Sequence, residues 1–481
     1  MLISLPQSRA FALLSGDYNP IHLDPVYARR LQFGQSVVHG LHGVMLALDQ
    51  LLTRFDAPHA LVQIKVRFSR PMGHDQPFNL VTQIDDNGQF RLKLQAQKQI
   101  STTLSGQLTP AVKGEVSAIP RLPEVDSPRT ATWAAAASAQ GSVPLHWSSA
   151  EGAALFPHLS RRLPGDQAAV LLAMTRLVGM WVPGEHSLFG GFTFTFTDPA
   201  PAEPPSLAYR VGYGDQERRL LEIQLEGGAG KGVIHAFLRP PPVAQVSLAD
   251  LCQRQSARLL SQRRVLVVGG SRGLGEVMAK AALAMGAEVH VTGYRGRGEL
   301  QGLVAEAHHA GLVCEYSTLD VLQSAPDPWP ELMGRGPFDL VAYFATPAIS
   351  LNPYHGWQQL LFDNYMRYYV SPFLRLAEAA LKGRRQPGLP LVLLQPSSTF
   401  VAEPETGAME YAAAKSAMEV AGRYLEAQHK GLSILTPRLP RLLTDQTAML
   451  DAKLVKDPVP EVIALLEHCA KCLGSLPPTY P

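Results

Sequence analysis

A strand that runs into a glycine-rich turn and then a helix leaves few folds open, and residues 265–275 read that way. Val265-Leu-Val-Val268 is a short β-branched apolar run. Gly269, Gly270, Ser271, Arg272, Gly273, Leu274 and Gly275 follow it and open a helix. Glycines there let the main chain turn tightly and approach a pyrophosphate, whose charge is favoured at a helix N-terminus. From residue 263 onward strands and helices alternate, which predicts an α/β doubly wound parallel sheet. The next strand, Glu288–Thr292, ends in Gly293-Tyr294-Arg295. An NAD-selective site places an acidic residue at that end for the ribose hydroxyls. Arg295, with Arg272 in the loop, suits a 2′-phosphate instead, so the expected cofactor is NADPH.

Further along lie Leu319-Asp320-Val321, the strand Phe338–Phe344 with Ala345-Thr346, Asn364 on a helix, Ser398 after the strand Leu391–Leu394, and Tyr411-Ala-Ala-Ala-Lys415. The Tyr-x-x-x-Lys spacing puts both side chains on one helical face. A nearby ammonium lowers a phenol's pKa, so the tyrosine can exchange a proton with a carbonyl or alcohol. Ser398, thirteen residues upstream, can hydrogen-bond the same oxygen. Together these residues, from 263 to about 447, resemble the short-chain dehydrogenase/reductase superfamily. The resemblance implies a Rossmann-type fold with Tyr411 as acid/base, Lys415 as its modulator and ribose ligand, Ser398 orienting the carbonyl and Asn364 supporting a proton relay. It also implies that Asp320 contacts the adenine, that Gly269–Gly275, Tyr294, Arg295 and Ala345 line the cofactor, and that the helices bearing Asn364 and Tyr411 form a homodimer. Three features depart from the family pattern. Tyr343-Phe344-Ala345-Thr346 stands where Asn-Asn-Ala-Gly is usual, Pro440-Arg441 where Pro-Gly is usual, and no C-terminal strand with an Asp-Gly-Gly turn is evident.

The N-terminal stretch is dense in a different chemistry. Ser15-Gly16-Asp17-Tyr18-Asn19-Pro20-Ile21-His22 sets a carboxylate and an imidazole five residues apart, with Asn-Pro forcing a turn between them. Hydration of an enoyl thioester needs a base for water and an acid for the α-carbon, and a paired Asp and His can hold one water and share those roles. Val37-Val38-His39-Gly40 then enters a helix, whose first N–H groups can polarise a thioester carbonyl. This stretch resembles the MaoC-like, (R)-specific enoyl hydratase family. The resemblance implies Asp17 and His22 as the catalytic pair, Asn19 as shaper of the loop and the Gly40 amide as oxyanion donor. The family's N-terminal strand is expected to be short, missing or supplied from elsewhere, since the motif begins by residue 11.

Around that motif, a helix over Gly40–Arg54 is followed by strands at Leu61–Phe68, Phe78–Ile84, Phe90–Gln97 and Thr102–Leu108, with Asp86-Asn87-Gly88 as a hairpin turn. The order recurs: a helix over Gln167–Met180, then strands at Ser187–Thr197, Leu207–Tyr213, Arg218–Glu226 and Gly232–Leu238. The second copy has no Asp-x-Asn-Pro-x-His, and His186 reads first as a structural residue near a turn. The expected architecture is an α+β double hotdog followed by an α/β Rossmann-type sheet: a catalytic hotdog at 1–115, a degenerate hotdog at 146–243 and the reductase-like domain at 262–481. Residues 110–146, with Pro110, Pro120, Pro123, Pro128 and an alanine run at 134–137, read as a linker, and Arg239-Pro-Pro-Pro-Val243 as a stiff connector. The segment Ser247–Ser261 reads as helical.

Composition narrows the partners. A net charge of +2 with no block of like charge argues against nucleic acid. The apolar runs are too short to span a membrane, no secretory signal is evident, and four cysteines fit a reducing cytoplasm. His468-Cys469-x-x-Cys472 lacks a second ligand pair and reads as part of an amphipathic helix, Glu461 to Leu473, so no metal is expected. The two resemblances together imply a 3-ketoacyl thioester reductase joined to a 3-hydroxyacyl dehydratase, with the acyl chain on acyl carrier protein or coenzyme A. The reverse, degradative flow and a non-catalytic acyl-binding scaffold are the alternatives.

Overall fold

The computed structural model describes residues 1–31, 33–96, 99–111, 127–197, 205–227, 230–255, 257–352, 356–384, 386, 388–448 and 452–474. The chain divides into two compact units, Met1–Pro241 and Pro242–Pro481, within the run of prolines.

The first unit opens with helices α1 (Leu5–Ser15), α2 (Pro20–Leu23), α3 (Pro25–Ala28) and α4 (Gly40–Leu52). Strands β1 (His59–Phe68), β2 (Phe78–Ile84), β3 (Gln89–Ala96) and β4 (Gln99–Pro110) follow. Then come α5 (Trp133–Ala137), β5 (Gln140–Pro144), α6 (Ser149–Leu155), α7 (Pro157–Arg162) and α8 (Gly165–Arg176), which runs into a π-helical turn at Leu177–Trp181. Strands β6 (Ser187–Phe196), β7 (Ser206–Asp215), β8 (Leu220–Gly227) and β9 (Gly230–Leu238) complete the unit. The two predicted hotdog halves share one nine-stranded sheet, ordered β2-β3-β4-β1-β6-β9-β8-β7-β5. Its seam is the antiparallel pair β1–β6, where Ile64 lies opposite Phe194 and Val66 opposite Phe192. All four are buried in a core that also takes α4 through Leu41, Val44 and Leu48 and α8 through Val170, Leu171 and Met174. Gln167 of α8 ties the halves further: its amide exchanges hydrogen bonds of 2.8 and 2.9 Å with the main chain of Leu61.

One expectation narrows here and one changes. The place of the N-terminal strand is taken by α1, capped by a reciprocal Ser4–Gln7 box with Pro6 in its first turn. Part of the expected linker is structured. Ala134–Ala137 belong to α5, capped by the Thr132 hydroxyl, and β5 pairs with β7 at the sheet's edge. Pro120 and Pro123 lie outside the described residues.

The second unit holds α9 (Leu248–Arg254), β10 (Arg264–Val268), α10 (Gly273–Ala284), β11 (Glu288–Gly293), α11 (Arg297–His309), β12 (Cys314–Thr318), α12 (Trp329–Met333) and β13 (Leu340–Tyr343). It continues with α13 (Gln359–Tyr369), α14 (Ser371–Lys382), β14 (Leu391–Leu394), β15 (Ser397–Ser398), α15 (Met409–Gln428), β16 (Leu432–Leu435), β17 (Arg438–Leu439) and α16 (Pro458–Leu473). Six strands form one sheet in the order β12-β11-β10-β13-β14-β16, every pair parallel. Reversal of strand order between β10 and β13 makes the switch point of a Rossmann-type fold. Val265, Val267, Leu340 and Val392 face one apolar cluster and Leu266, Val268, Val341 and Leu393 the other, so the sheet is covered on both sides. The helix expected over Ser247–Ser261 is only α9, and among the described residues no strand follows β17. Instead α16 buries Val462, Leu466 and Cys469 in the cluster with α10, which accounts for the Cys469–Cys472 spacing as packing. Among the described residues no helix is long and apolar enough to cross a membrane.

Candidate active sites

In the first unit, Asn19 and Pro20 build the turn that brings Asp17 and His22 together. The Asn19 side chain caps α2 by accepting from the Ile21 N–H at 3.1 Å, and Pro20 is the first helical residue. The Asn19 side-chain amide donates to the carbonyls of Gly179, Gly184 and Glu185, at 2.8, 3.1 and 3.2 Å, pinning the loop to the second half. Asp17 is 1% exposed. Its Oδ1 accepts from the Asn19 N–H at 3.2 Å and its Oδ2 from the Thr175 hydroxyl at 2.7 Å. The His22 Nδ1 bonds the Val37 carbonyl at 2.8 Å, so Nδ1 carries the hydrogen and Nε2 is left as the acceptor. Beneath it, His39 stacks on His22 with ring centres 3.9 Å apart and bonds the Asp17 carbonyl through Nε2 at 3.0 Å.

Burial pushes the Asp17 carboxyl above its ordinary range; His22, Thr175, the Asn19 N–H and Arg176 pull the other way. Burial likewise holds the imidazoles down: His22 against the pull of Asp17, His39 well below the usual value, and His42 to about 3. Neutral imidazole is therefore the resting form of His22 near pH 7, ready to take a proton at Nε2. Gly40 begins α4, and its N-cap, His39, offers no side-chain acceptor to the helix's first N–H groups. Those donors can face an oxyanion.

Asp17, His22 and His39 bring ligand atoms within 4.8 Å of one another, a spacing that would admit a cation. The two imidazoles are stacked with planes 28° apart, so their in-plane lone pairs do not converge, and one nitrogen of each is already bonded to a carbonyl. His186 sits in the turn before β6 and its carbonyl accepts from the Arg239 N–H at 2.8 Å, in keeping with a structural role. Sequence reading missed Thr175 and Arg176, and gave His39 a place in the motif but no role of its own. The first two stand on α8, whose apolar pattern gives no sign of a polar task.

In the second unit, the loop after β10 has the shape a pyrophosphate needs. Gly269 has φ +83°, and a Cβ there would fall 2.6 Å from the Ala345 nitrogen. A Cβ on Gly275 would meet the Gly269 carbonyl at 2.2 Å. Gly273 starts α10, whose N-cap Arg272 provides no side-chain cap, so the first N–H groups are available to an anion. Ser271 is buried in the loop and Leu274 lies in the helix's first turn. A dinucleotide's pyrophosphate fits this donor set. The two arginines differ. Arg295 is exposed at the end of β11, 5.5 Å over the ring of the exposed Tyr294. Arg272 is paired with Asp445 at 3.2 Å, so it is not the free phosphate partner the sequence suggested. Asp320 accepts from the Leu322 N–H at 2.9 Å, which fixes the turn after β12.

Ser398 and Tyr411 do come together: the serine hydroxyl is near enough to draw the phenol's pKa down, against burial. Lys415 lies one helical turn beyond Tyr411 on α15, with Nζ donating to the Pro396 carbonyl at 2.7 Å and 3.8 Å from the centre of the Tyr369 ring. Two expectations need correction. Burial, with Tyr365 beside it, pushes the Tyr411 phenol above its ordinary range instead of down, and burial lowers Lys415 to about 7, so near neutrality the ammonium is only partly formed. The residues of α13 that meet Tyr411 are Tyr365 and Tyr369, with ring centres 5.4 and 5.9 Å away. Asn364 lies about 100° round the helix from Tyr365 and is only partly buried.

Residues 3–104 match the family described as MaoC like domain. A stretch of 36 residues is 56% identical to the fatty acid synthase beta subunit stcK of Emericella nidulans, covering 8% of this chain and 2% of that protein. Over 121 residues the chain is 32% identical to a Streptomyces lividans protein described as an oxidoreductase, covering 23% of this chain and 38% of that one. The chain thus spans well under half the length of either relative. Among solved structures, a short chain dehydrogenase from Burkholderia cenocepacia J2315 in complex with NADP aligns with a TM-score of 0.39 and 21% identity, over 44% of this chain and 91% of that one. A short chain dehydrogenase from Salmonella enterica serovar Typhi aligns with a TM-score of 0.39 and 22% identity, over 45% and 93%.

Proposed function

We propose that this chain, a MaoC-like domain at residues 3–104 followed by a Rossmann-type unit, reduces a 3-ketoacyl thioester with NADPH and dehydrates the resulting 3-hydroxyacyl thioester to the trans-2-enoyl thioester. The observation that carries the reading is the Asp17–His22 pair, Asp17 buried and His22 half-buried, both oriented by hydrogen bonds and set beside the uncapped start of α4. In the hydration direction, Asp17 and the Nε2 of His22 accept the two hydrogens of one water. Its oxygen bonds to the β-carbon as one proton passes to this pair. The enolate oxygen rests on the Gly40 amide, and the pair returns that proton to the α-carbon. Dehydration is the same path reversed.

In the second unit the glycine loop at 269–275 would hold a dinucleotide, which when bound would supply the hydride. Ser398 orients the ketone oxygen and Tyr411 donates its phenolic proton to it. The raised pKa keeps the phenol protonated near neutrality, the form that reduction requires. Arg295 at the end of β11 suits the 2′-phosphate of NADPH. The likeness to a fatty acid synthase subunit supports acyl-chain processing, and the likeness to an oxidoreductase supports the redox step. Tethering the two units raises the local concentration of the shared hydroxyacyl intermediate.

The test supplies a 3-ketoacyl thioester, on coenzyme A and on acyl carrier protein, with NADPH, and identifies products by mass spectrometry. The expected product is the enoyl thioester. Asp17→Asn stops at the hydroxyacyl stage, and Tyr411→Phe consumes no NADPH, each step losing about 10²–10⁴-fold. No NADPH oxidation with either carrier, alongside hydration of an enoyl thioester and its oxidation with NAD, would establish the degradative direction instead.

A further inference from the structure

We propose that Thr175, on the half that lacks the motif, is a positioning residue for the hydration site, so that neither half forms a working site by itself. The inference rests on the role of Asp17 given above. Thr175 stands on α8, 158 residues from Asp17, and its hydroxyl donates to Oδ2 at 2.7 Å within the core. A threonine hydroxyl among Val170, Leu171, Met174 and Leu177 has no packing reason to be polar, and its 3% exposure gives it no water to bond. The π-helical turn that extends α8 places Gly179 flush against the same carboxylate: a Cβ there would lie 2.1 Å from Oδ1. Thus the second half provides both the donor to one oxygen and the wall beside the other.

The consequence for protonation follows from what faces Asp17. The titratable and charged groups around it are His22 on α2, His39 ahead of α4 and Arg176 on α8. Arg176 is itself held by the Ser15 carbonyl at 3.3 Å and by the Pro144 carbonyl. Burial favours the neutral acid, whereas accepting water's hydrogen needs the carboxylate. The Thr175 hydroxyl, donating to the ionised form, holds the carboxylate in the required state and rotamer.

The test is the pH profile of kcat/KM for hydration of crotonyl-coenzyme A by the full chain and by Thr175→Val, Thr175→Ala, Thr175→Ser and Asp17→Asn. Valine and alanine are expected to move the acid limb up by about one to two pH units, with rates about 10- to 100-fold lower below it and near-native rates well above it. Serine, which keeps the hydroxyl and loses the methyl, is expected to retain the native limb. Alanine carries the test if valine does not fold. An unchanged limb in alanine or valine, an equal loss at every pH, or a shifted limb in serine overturns the inference while leaving the role of Asp17 standing. A native protein without hydratase activity, or full activity in Asp17→Asn, removes the parent reading itself.

Discussion

Asp17 and Lys415 are both ionisable groups shut away from water, and the two units treat them differently. Asp17 receives two hydrogen bonds and the field of Arg176, drawn from parts of the chain about 160 residues apart. Lys415 has the Pro396 carbonyl and the face of Tyr369, with Glu419 on its own helix. In both, burial outweighs the opposing contacts: Asp17 stays above its ordinary range although His22, Thr175, the Asn19 N–H and Arg176 pull it down, and Lys415, opposed only by Glu419, falls to about 7. The carboxylate therefore depends on several contacts held in place at once, the lysine on very few.

The sharpest way to break the contrast is Gly179→Ala. A methyl there collides with the Asp17 carboxylate, and hydration is expected to fall by about 10²-fold or more while NADPH oxidation stays native. Comparable loss in both activities would mean the glycine supports folding rather than the site. A smaller effect concerns Lys415. Its folded pKa is depressed from 10.5 to about 7, so below 7 both folded and unfolded states are charged and the full penalty of burial stands. As pH rises from about 7 towards 10.5 the folded form is neutral while the unfolded chain sheds its proton, and the penalty fades. Lys415→Met is therefore expected to raise the melting temperature of the second unit at pH 7 and to match the native protein near pH 10.5, read by calorimetry. A melting temperature equally raised at both pH values would point to packing instead. The smallest effect is expected at Asn364: alanine there should change reduction by less than about threefold, since Asn364 is turned about 100° round α13 from Tyr365, which meets Tyr411. A hundredfold loss would return it to the proton relay.

What the sequence disclosed follows the same division. Asp17, Asn19 and His22 are legible because they share one turn whose shape is set locally by Asn19 and Pro20. The glycines at 269, 273 and 275 are legible because strand, turn and helix follow one another without a break. Thr175 and Gly179 escaped because their task is defined by a neighbour 158 or more residues away, and α8 reads like any buried helix. Tyr369 escaped for a rotational reason: the family pattern directs attention to Asn364, while the turn of α13 that meets α15 presents positions 365 and 369. The edge strand β5, Gln-Gly-Ser-Val-Pro, has almost no β-forming residues, and its place is decided by β7 rather than by its own composition.

The β1–β6 seam has a consequence for how such a site can change. In a two-fold homodimer every substitution is written twice, once on each side of the axis, and any residue must suit both roles. Here the axis is only approximate and both sides are one polypeptide, so Thr175 and Gly179 serve a carboxylate that exists once. The second half is free of the duty to carry its own motif, and its surface at that point can be shaped for a single guest.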